Sequence, residues 1–166
     1  HDQDVSVIKG IGDDAAIIKT SKDHDLVIST DTLLEGVHFP TRMSPHDIGY
    51  RCVAVNISDM AAMGATPRWL TLALSLPSFD QEWLENFSLG LFAAAKEYKV
   101  TLVGGDTTSG QQLTITISIT GEVKSNSAIT RARARPGDLL FVTGTIGDAA
   151  AGLSLIGDTN TLGEDK

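Results

Sequence analysis

The run from Leu113 to Val123 constrains this chain more than any other stretch. Leu113, Ile115, Ile117 and Ile119 alternate with Thr114, Thr116, Ser118 and Thr120. A period of two sends the apolar side chains to one side of a strand and the hydroxyls to the other. Such a strand belongs in a sheet with one face packed against other elements and one polar face. The polar face stays open unless something covers it. Pairing with a second copy would do so, and the pattern therefore predicts a homodimer.

The remaining elements fit around that strand. Ala15 to Ile18, Leu26 to Ile28, Trp69 to Leu76, Val100 to Val103 and Asp138 to Thr143 are short apolar runs bounded by turn residues, and each reads as a strand. Ser44-Pro45-His46-Asp47 supplies an N-cap hydroxyl, a proline at the first helical position and a carboxylate in the first turn. Ile48, Cys52, Val55, Ile57, Met60 and Met63 continue a helix that Gly64 can stop. Ser78 or Asp80 can cap a second helix carrying Trp83, Phe87, Leu91, Ala94 and Tyr98 on one face. A small-residue helix follows from Gly147 to Ile156. The expectation is an α+β fold, a mostly antiparallel sheet with helices on one face. Residues 1–136 form one domain, and 137–166 are the start of a truncated C-terminal α/β domain. The chain begins with His1 and ends in a polar stretch, which reads as a piece of something longer.

Composition narrows the partners. The 166 residues carry a formal net charge of −8, which argues against nucleic acid, since phosphate backbones select Lys- and Arg-rich surfaces. No apolar run approaches the roughly 20 residues of a membrane-spanning helix, so no membrane partner is expected. The single cysteine, Cys52, excludes an internal disulfide and suits a reducing cytoplasm.

An acidic protein can handle phosphates only with cations in between, so the placement of carboxylates matters. Asp14 follows Gly-Asp at a strand start, Asp31 follows Ser-Thr after a strand, Asp59 follows Ser58 near a helix end, and Asp106 follows Gly-Gly after a strand. Each has small neighbours, several with hydroxyls. Magnesium takes an octahedral oxygen shell of a few carboxylates, waters and substrate phosphates. Carboxylates that converge repel by about 4 kcal/mol per close pair at intermediate dielectric, and a divalent cation removes that penalty. Asp beside Gly or Ser is equally a turn residue, so each aspartate alone also has a plain structural reading.

Other features carry less. No GxxxxGK[ST] loop exists, and Gly10-Ile11-Gly12 lacks the strand-to-helix setting of a dinucleotide fold. Thr143-Gly144-Thr145-Ile146-Gly147 can offer backbone N–H groups to a phosphate or simply cap a helix. Arg131, Arg133 and Arg135 alternate, which on an extended segment suits either phosphate contact or a solvated edge. His38 falls in a loop after Glu35-Gly36-Val37, and His24, His46 and Cys52 read as surface and core.

Taken in order, the motifs resemble one family. Gly10-Ile11-Gly12-Asp13-Asp14-Ala15-Ala16 is followed by Ser29-Thr30-Asp31-Thr32-Leu33-Leu34-Glu35-Gly36-Val37-His38-Phe39 and by Asn56-Ile57-Ser58-Asp59-Met60-Ala61-Ala62-Met63-Gly64-Ala65. Gly104-Gly105-Asp106-Thr107-Thr108, Thr130-Arg131, Pro136-Gly137-Asp138 and Val142-Thr143-Gly144-Thr145-Ile146-Gly147-Asp148 complete the set. Over nearly the whole chain this is similar to the bacterial thiamine-monophosphate kinases. Their superfamily also holds aminoimidazole ribonucleotide synthetase, selenophosphate synthetase and a hydrogenase maturation factor.

The resemblance implies an ATP-binding half of an enzyme that phosphorylates thiamine monophosphate to thiamine diphosphate by direct in-line transfer, assisted by Mg2+. On that reading Asp14, Asp31, Asp59 and Asp106 hold magnesium, with Ser29 and Thr30 adding oxygens. Gly105, Asp106 and Arg131 meet the nucleotide, and His38 lies near the thiamine phosphate. The resemblance further implies a dimer whose N-terminal halves share a β-barrel. Family members continue into a second domain, so the activity belongs to the full protein. Two alternatives stand beside this: a sister synthetase or maturation factor of the superfamily, and a non-catalytic acidic cation-binding dimer module.

Overall fold

The computed structural model describes residues 5–12 and 14–157. It divides into two compact units, His1–Thr130 and Arg131–Lys166. In the first, a short hairpin of β1 (Val7–Lys9) and β2 (Ile17–Ile18) precedes β3 (His24–Leu34), α1 (Pro45–Ala62), β4 (Thr66–Leu76), α2 (Gln81–Glu97), β5 (Thr101–Ser109) and β6 (Thr114–Lys124). The second contains a 3-10 turn, Arg131–Arg133, and α3 (Asp148–Gly157).

Four strands make the main sheet in the order β3-β6-β4-β5. β6 runs antiparallel to both β3 and β4, whereas β4 and β5 are parallel, joined by the α2 crossover. The sheet is mixed, and it is open: β3 and β5 are its two edges, and no closed barrel forms from the described residues. The parallel pair follows from the 17-residue helix between β4 and β5, since parallel neighbours need a long crossover.

Register turns the alternation of β6 into two chemically distinct faces. Three rows, Leu33–Ile115–Leu74, Asp31–Ile117–Leu72 and Ser29–Ile119–Leu70, lie on the face that α1 packs against. Ile115, Ile117 and Ile119 are fully buried there, with Cys52, Val53 and Met60 of α1. The intervening rows, Thr30–Ser118–Thr71 and Thr32–Thr116–Ala73, stand on the other face. Hydroxyls pair across it, Thr30 with Ser118 at 2.6 Å and Thr32 with Thr116 at 2.9 Å.

The helices follow the sequence signals. Ser44 Oγ accepts from Asp47 N at 3.1 Å, and Asp80 Oδ1 accepts from Trp83 N at 3.0 Å. Asp80, not Ser78, is thus the cap of α2. Gly64, at φ +67, ends α1 in the left-handed conformation that only glycine adopts without strain. α1 and α2 cross with their backbones touching. A Cβ on Gly49 would lie 2.1 Å from Phe87 O, and one on Gly90 would lie 1.8 Å from His46 O.

Several expectations need correction. β3 and β5 do not stop before their aspartates: Ser29-Thr30-Asp31 and Gly104-Gly105-Asp106 are interior strand residues. Their Gly, Ser and Asp resemble turn chemistry, but ladder pairing on β6 and β4 extends both strands. Asp138 to Thr143 is not a strand. It has no pairing neighbour among the described residues, and Leu139, Leu140 and Phe141 are each more than three-quarters exposed. Arg131 and Arg133 sit in a 3-10 turn, where three residues make a turn and alternate positions diverge, so the arginines do not share a face. β1 had no sequence-level signal and is an addition.

Candidate functional site

Ser29 and Asp31 are polar side chains that β3 sends to the helix-covered face, in rows that also hold Ile117, Leu72, Ile119 and Leu70. A strand buried on that face is expected to place apolar residues there, as Leu33 does one row further on. Asp59 comes from the last turn of α1, one helical turn beyond the buried Asn56. Ser29 Oγ donates to Asp59 Oδ2 at 2.5 Å, a short charge-assisted bond that joins sheet edge to helix end. Ser29, Asp31 and Asp59 are all half-buried, partly screened but reachable. Ser29 and Asp59 meet, and Asp31 follows one row along the same face of β3, about 7 Å on at ~3.4 Å per residue; this oxygen-bearing edge of the sheet, the notch, carries the hard donors that magnesium selects.

The other predicted residues are placed elsewhere. Thr30 points to the opposite face, its hydroxyl engaged by Ser118. Asp106 stands on that same open face, in the row Thr32–Thr116–Ala73–Asp106, and is exposed. It is three strand spacings from β3, about 14 Å at ~4.8 Å per strand. Gly105 beside it has a definite reason to be glycine, since a Cβ would meet Leu72 O at 2.1 Å. Asp14 is exposed in the loop between β1 and β2. Arg131 belongs to the second unit and is exposed.

His38 lies in a tight turn between Leu34 and Phe39. Its Nδ1 accepts from Leu34 N at 3.0 Å while its own backbone N–H bonds Leu34 O at 2.9 Å. A nitrogen that accepts carries no proton, so the neutral ring is the Nε2–H tautomer and presents that donor outward. Among the described residues no group of three or more His, Cys, Asp or Glu side chains converges on one point. What the first unit brings into contact is therefore the Ser29–Asp59 pair, with Asp31 next along the same face of β3.

Sequence reasoning missed Glu122. It is 5% exposed and accepts from Ser21 N at 2.6 Å and Ser21 Oγ at 2.7 Å, with Arg68 Nε 3.6 Å away. Burial pushes its carboxyl up, but the two Ser21 bonds and the Arg68 charge outweigh that and hold it below the usual glutamate range. A charged residue near the end of an alternating strand reads as a solvated terminus. Only the partners contributed from the N-terminal arm show otherwise.

Comparison with known proteins adds the family. The profile of the AIR synthase related protein N-terminal domain matches residues 12–123, which is most of the first unit. Thiamine-monophosphate kinase of Buchnera aphidicola from Schizaphis graminum is 51% identical over 154 residues, covering 93% of this chain and 47% of that protein. The crystal structure of thiamine-monophosphate kinase from Stenotrophomonas maltophilia K279a superimposes with a TM-score of 0.87 at 46% identity, covering 93% of this chain and 49% of that one. AaThiL, solved complexed with AMPPCP and TMP, gives a TM-score of 0.78 at 34% identity, over 89% of this chain and 47% of its own. The chain thus spans about half the length of the relatives it matches. With that profile covering well over half of its residues, the chain belongs to the AIR synthase related protein family, whose N-terminal domain it carries.

Proposed function

We propose that this chain is the nucleotide- and magnesium-binding half of a thiamine-monophosphate kinase that acts in the cytoplasm. The observation that carries the reading is the Ser29–Asp31–Asp59 notch, polar residues set into an apolar sheet face where packing alone has no use for them. Identity of 51% to a thiamine-monophosphate kinase, and a fold shared with a relative solved with AMPPCP and TMP, support the choice of substrates.

The donor set suits the cation. Magnesium is commonly bound through one or two carboxylates plus phosphates and water rather than by an all-protein cage. Asp31 and Asp59 would hold it, Ser29 would orient the Asp59 carboxylate, and Asp14 and Asp106, which stand apart from that edge, would hold further magnesium ions around the triphosphate. Bound magnesium supplies charge neutralisation for the triphosphate. The chain's own contribution is positioning: with charge held in place, a phosphate oxygen of the substrate can attack the γ-phosphorus in line, without a covalent enzyme intermediate. Gly105 and Asp106 would approach the nucleotide, and Arg131 would contact phosphates. His38 would donate from Nε2 toward the thiamine phosphate.

The hydroxyl-lined open face favours a homodimer in which two such sheets face each other as a shared barrel. Residues 137–166 are then the entry into a second α/β domain. A coupled ADP-release assay on the full-length protein tests the whole reading. Turnover that requires thiamine monophosphate, ATP and magnesium together supports it. ATP binding without ADP release on adding thiamine monophosphate overturns it in favour of another substrate.

A further inference from the structure

The hairpin that carries Asp14 is short. β1 and β2 are three and two residues long, and an isolated two-stranded ribbon of any size is marginal in water. Apolar burial does not dock it either, since Val5, Ile8, Ile11 and Ile17 are all more than half exposed.

Two buried polar anchors grip its base instead. Before β1, Ser6 Oγ accepts from Trp69 Nε1 at 3.0 Å, with Trp69 1% and Ser6 8% exposed. After β2, Ser21 gives both its backbone N–H and its hydroxyl to the two oxygens of Glu122. Lys19 N bonds Ser6 O at 2.8 Å and ties the two ends of the hairpin together. The anchors are themselves joined, because the Arg68 guanidinium lies near Glu122 and 5.5 Å from the Trp69 ring centroid. Trp69 and Glu122 stand in neighbouring rows of the otherwise open sheet face, so the arm closes one end of that face.

A buried carboxylate is a costly way to attach a segment when apolar packing would serve. What two directed bonds give is a fixed geometry, and the hairpin's loop is where Asp14 stands. We propose that Glu122 and Trp69 are positioning residues, acting through Ser21 and Ser6 to hold the Asp14 loop where it meets the metal and phosphates. This rests on the assignment of Asp14 as a magnesium ligand.

The test uses Glu122→Gln, Trp69→Phe and Asp14→Asn in the full-length protein, with amide hydrogen exchange and magnesium titration of ADP release side by side. Trp69→Phe keeps an aromatic ring, smaller by the pyrrole portion, and removes the donor, so it reports even if Glu122→Gln fails to fold. In both anchor variants, exchange at residues 5–21 should quicken about five- to tenfold, as expected for one lost hydrogen bond, while amides of Ile115 to Ile119 keep their protection. The half-saturating magnesium concentration should rise about tenfold, with kcat changed far less. Asp14→Asn should raise the magnesium requirement. Unchanged exchange in both anchor variants overturns the anchoring. A loosened hairpin with wild-type magnesium dependence, where Asp14→Asn does raise it, overturns the positioning role alone. Wild-type magnesium dependence in Asp14→Asn overturns the ligand assignment, and the positioning role with it.

Discussion

On one face of the sheet Ile115, Ile117 and Ile119 are fully buried beneath α1, while on the other Thr116, Ser118 and Thr120 of the same strand are half-exposed, and Thr116 and Ser118 trade hydroxyl bonds with β3. Burial explains the first face almost entirely. Each isoleucine is worth about 1.5–3 kcal/mol by area removed from water. The second face is cheap to build and leaves its surface available to a partner. The difference teaches where to look for function. A residue that breaks the rule of its own face has been put there for something other than packing, and Ser29 and Asp31 break the rule of the covered face.

The largest expected effect tests that exception. Asp31→Asn in the full-length protein should lower ADP release by about a thousandfold, or ~4 kcal/mol, by withdrawing a charge from the metal. Its melting temperature should move little, because the side chain is half-buried at an edge strand and asparagine keeps the shape. Near-normal turnover in the folded variant would undo the site as built above.

Next comes the contrast between the faces themselves. Ile117→Ala should cost about 2–5 kcal/mol in chemical denaturation, the usual range for a cavity in a packed core. Thr116→Ala, one residue away, should cost about 1 kcal/mol or less where the hydroxyl face stands open, the worth of one exposed hydroxyl bond, and more where a second copy covers it. Equal costs would mean that the hydroxyl face is packed in solution, which a dimer closed over that face predicts and a monomer does not.

Acid should discriminate more finely. Glu122 has a carboxyl held below its ordinary value, so its stabilisation is complete above the ordinary glutamate value and is lost as pH falls through the depressed one. Hydrogen exchange at residues 5–21 should therefore quicken below the ordinary glutamate value while the β6 core remains protected. Glu122→Gln should lack that acid limb. The smallest effect concerns Cys52, whose thiol burial pushes up to about 12. Native protein should resist iodoacetamide at neutral pH and react only on unfolding, because the thiolate is the nucleophile.

Much of this was legible in the residues, and for identifiable reasons. Ser44-Pro45 and Asp80 cap helices wherever they stand before an apolar period, and the alternation of β6 has one geometrical meaning. The extents of β3 and β5 were not legible. Ser29-Thr30-Asp31 and Gly104-Gly105-Asp106 carry turn residues inside strands, and only pairing on β6 and β4 overrides that local preference. The site was half legible: small residues around aspartates drew attention to Asp31 and Asp59, but nothing local assigns Asp106 to the opposite face or Thr30 away from its neighbours. Face depends on parity within a strand, and parity is lost once a strand is ended too early. Glu122 and Trp69 were not legible because their partners, Ser21 and Ser6, are about a hundred and about sixty residues away.

The pairing of β3 with β6 continues without a break from His24 to Leu34. A slip by one residue would turn Ser29 and Asp31 out to the hydroxyl face and drive Thr30 and Thr32 under α1. There is accordingly no half-built version of this notch. A molecule in which β3 has docked wrongly also buries hydroxyls against isoleucines and loses its bond to Asp59, so faulty copies lose stability together with the notch. The notch is proofread by the folding of the sheet itself.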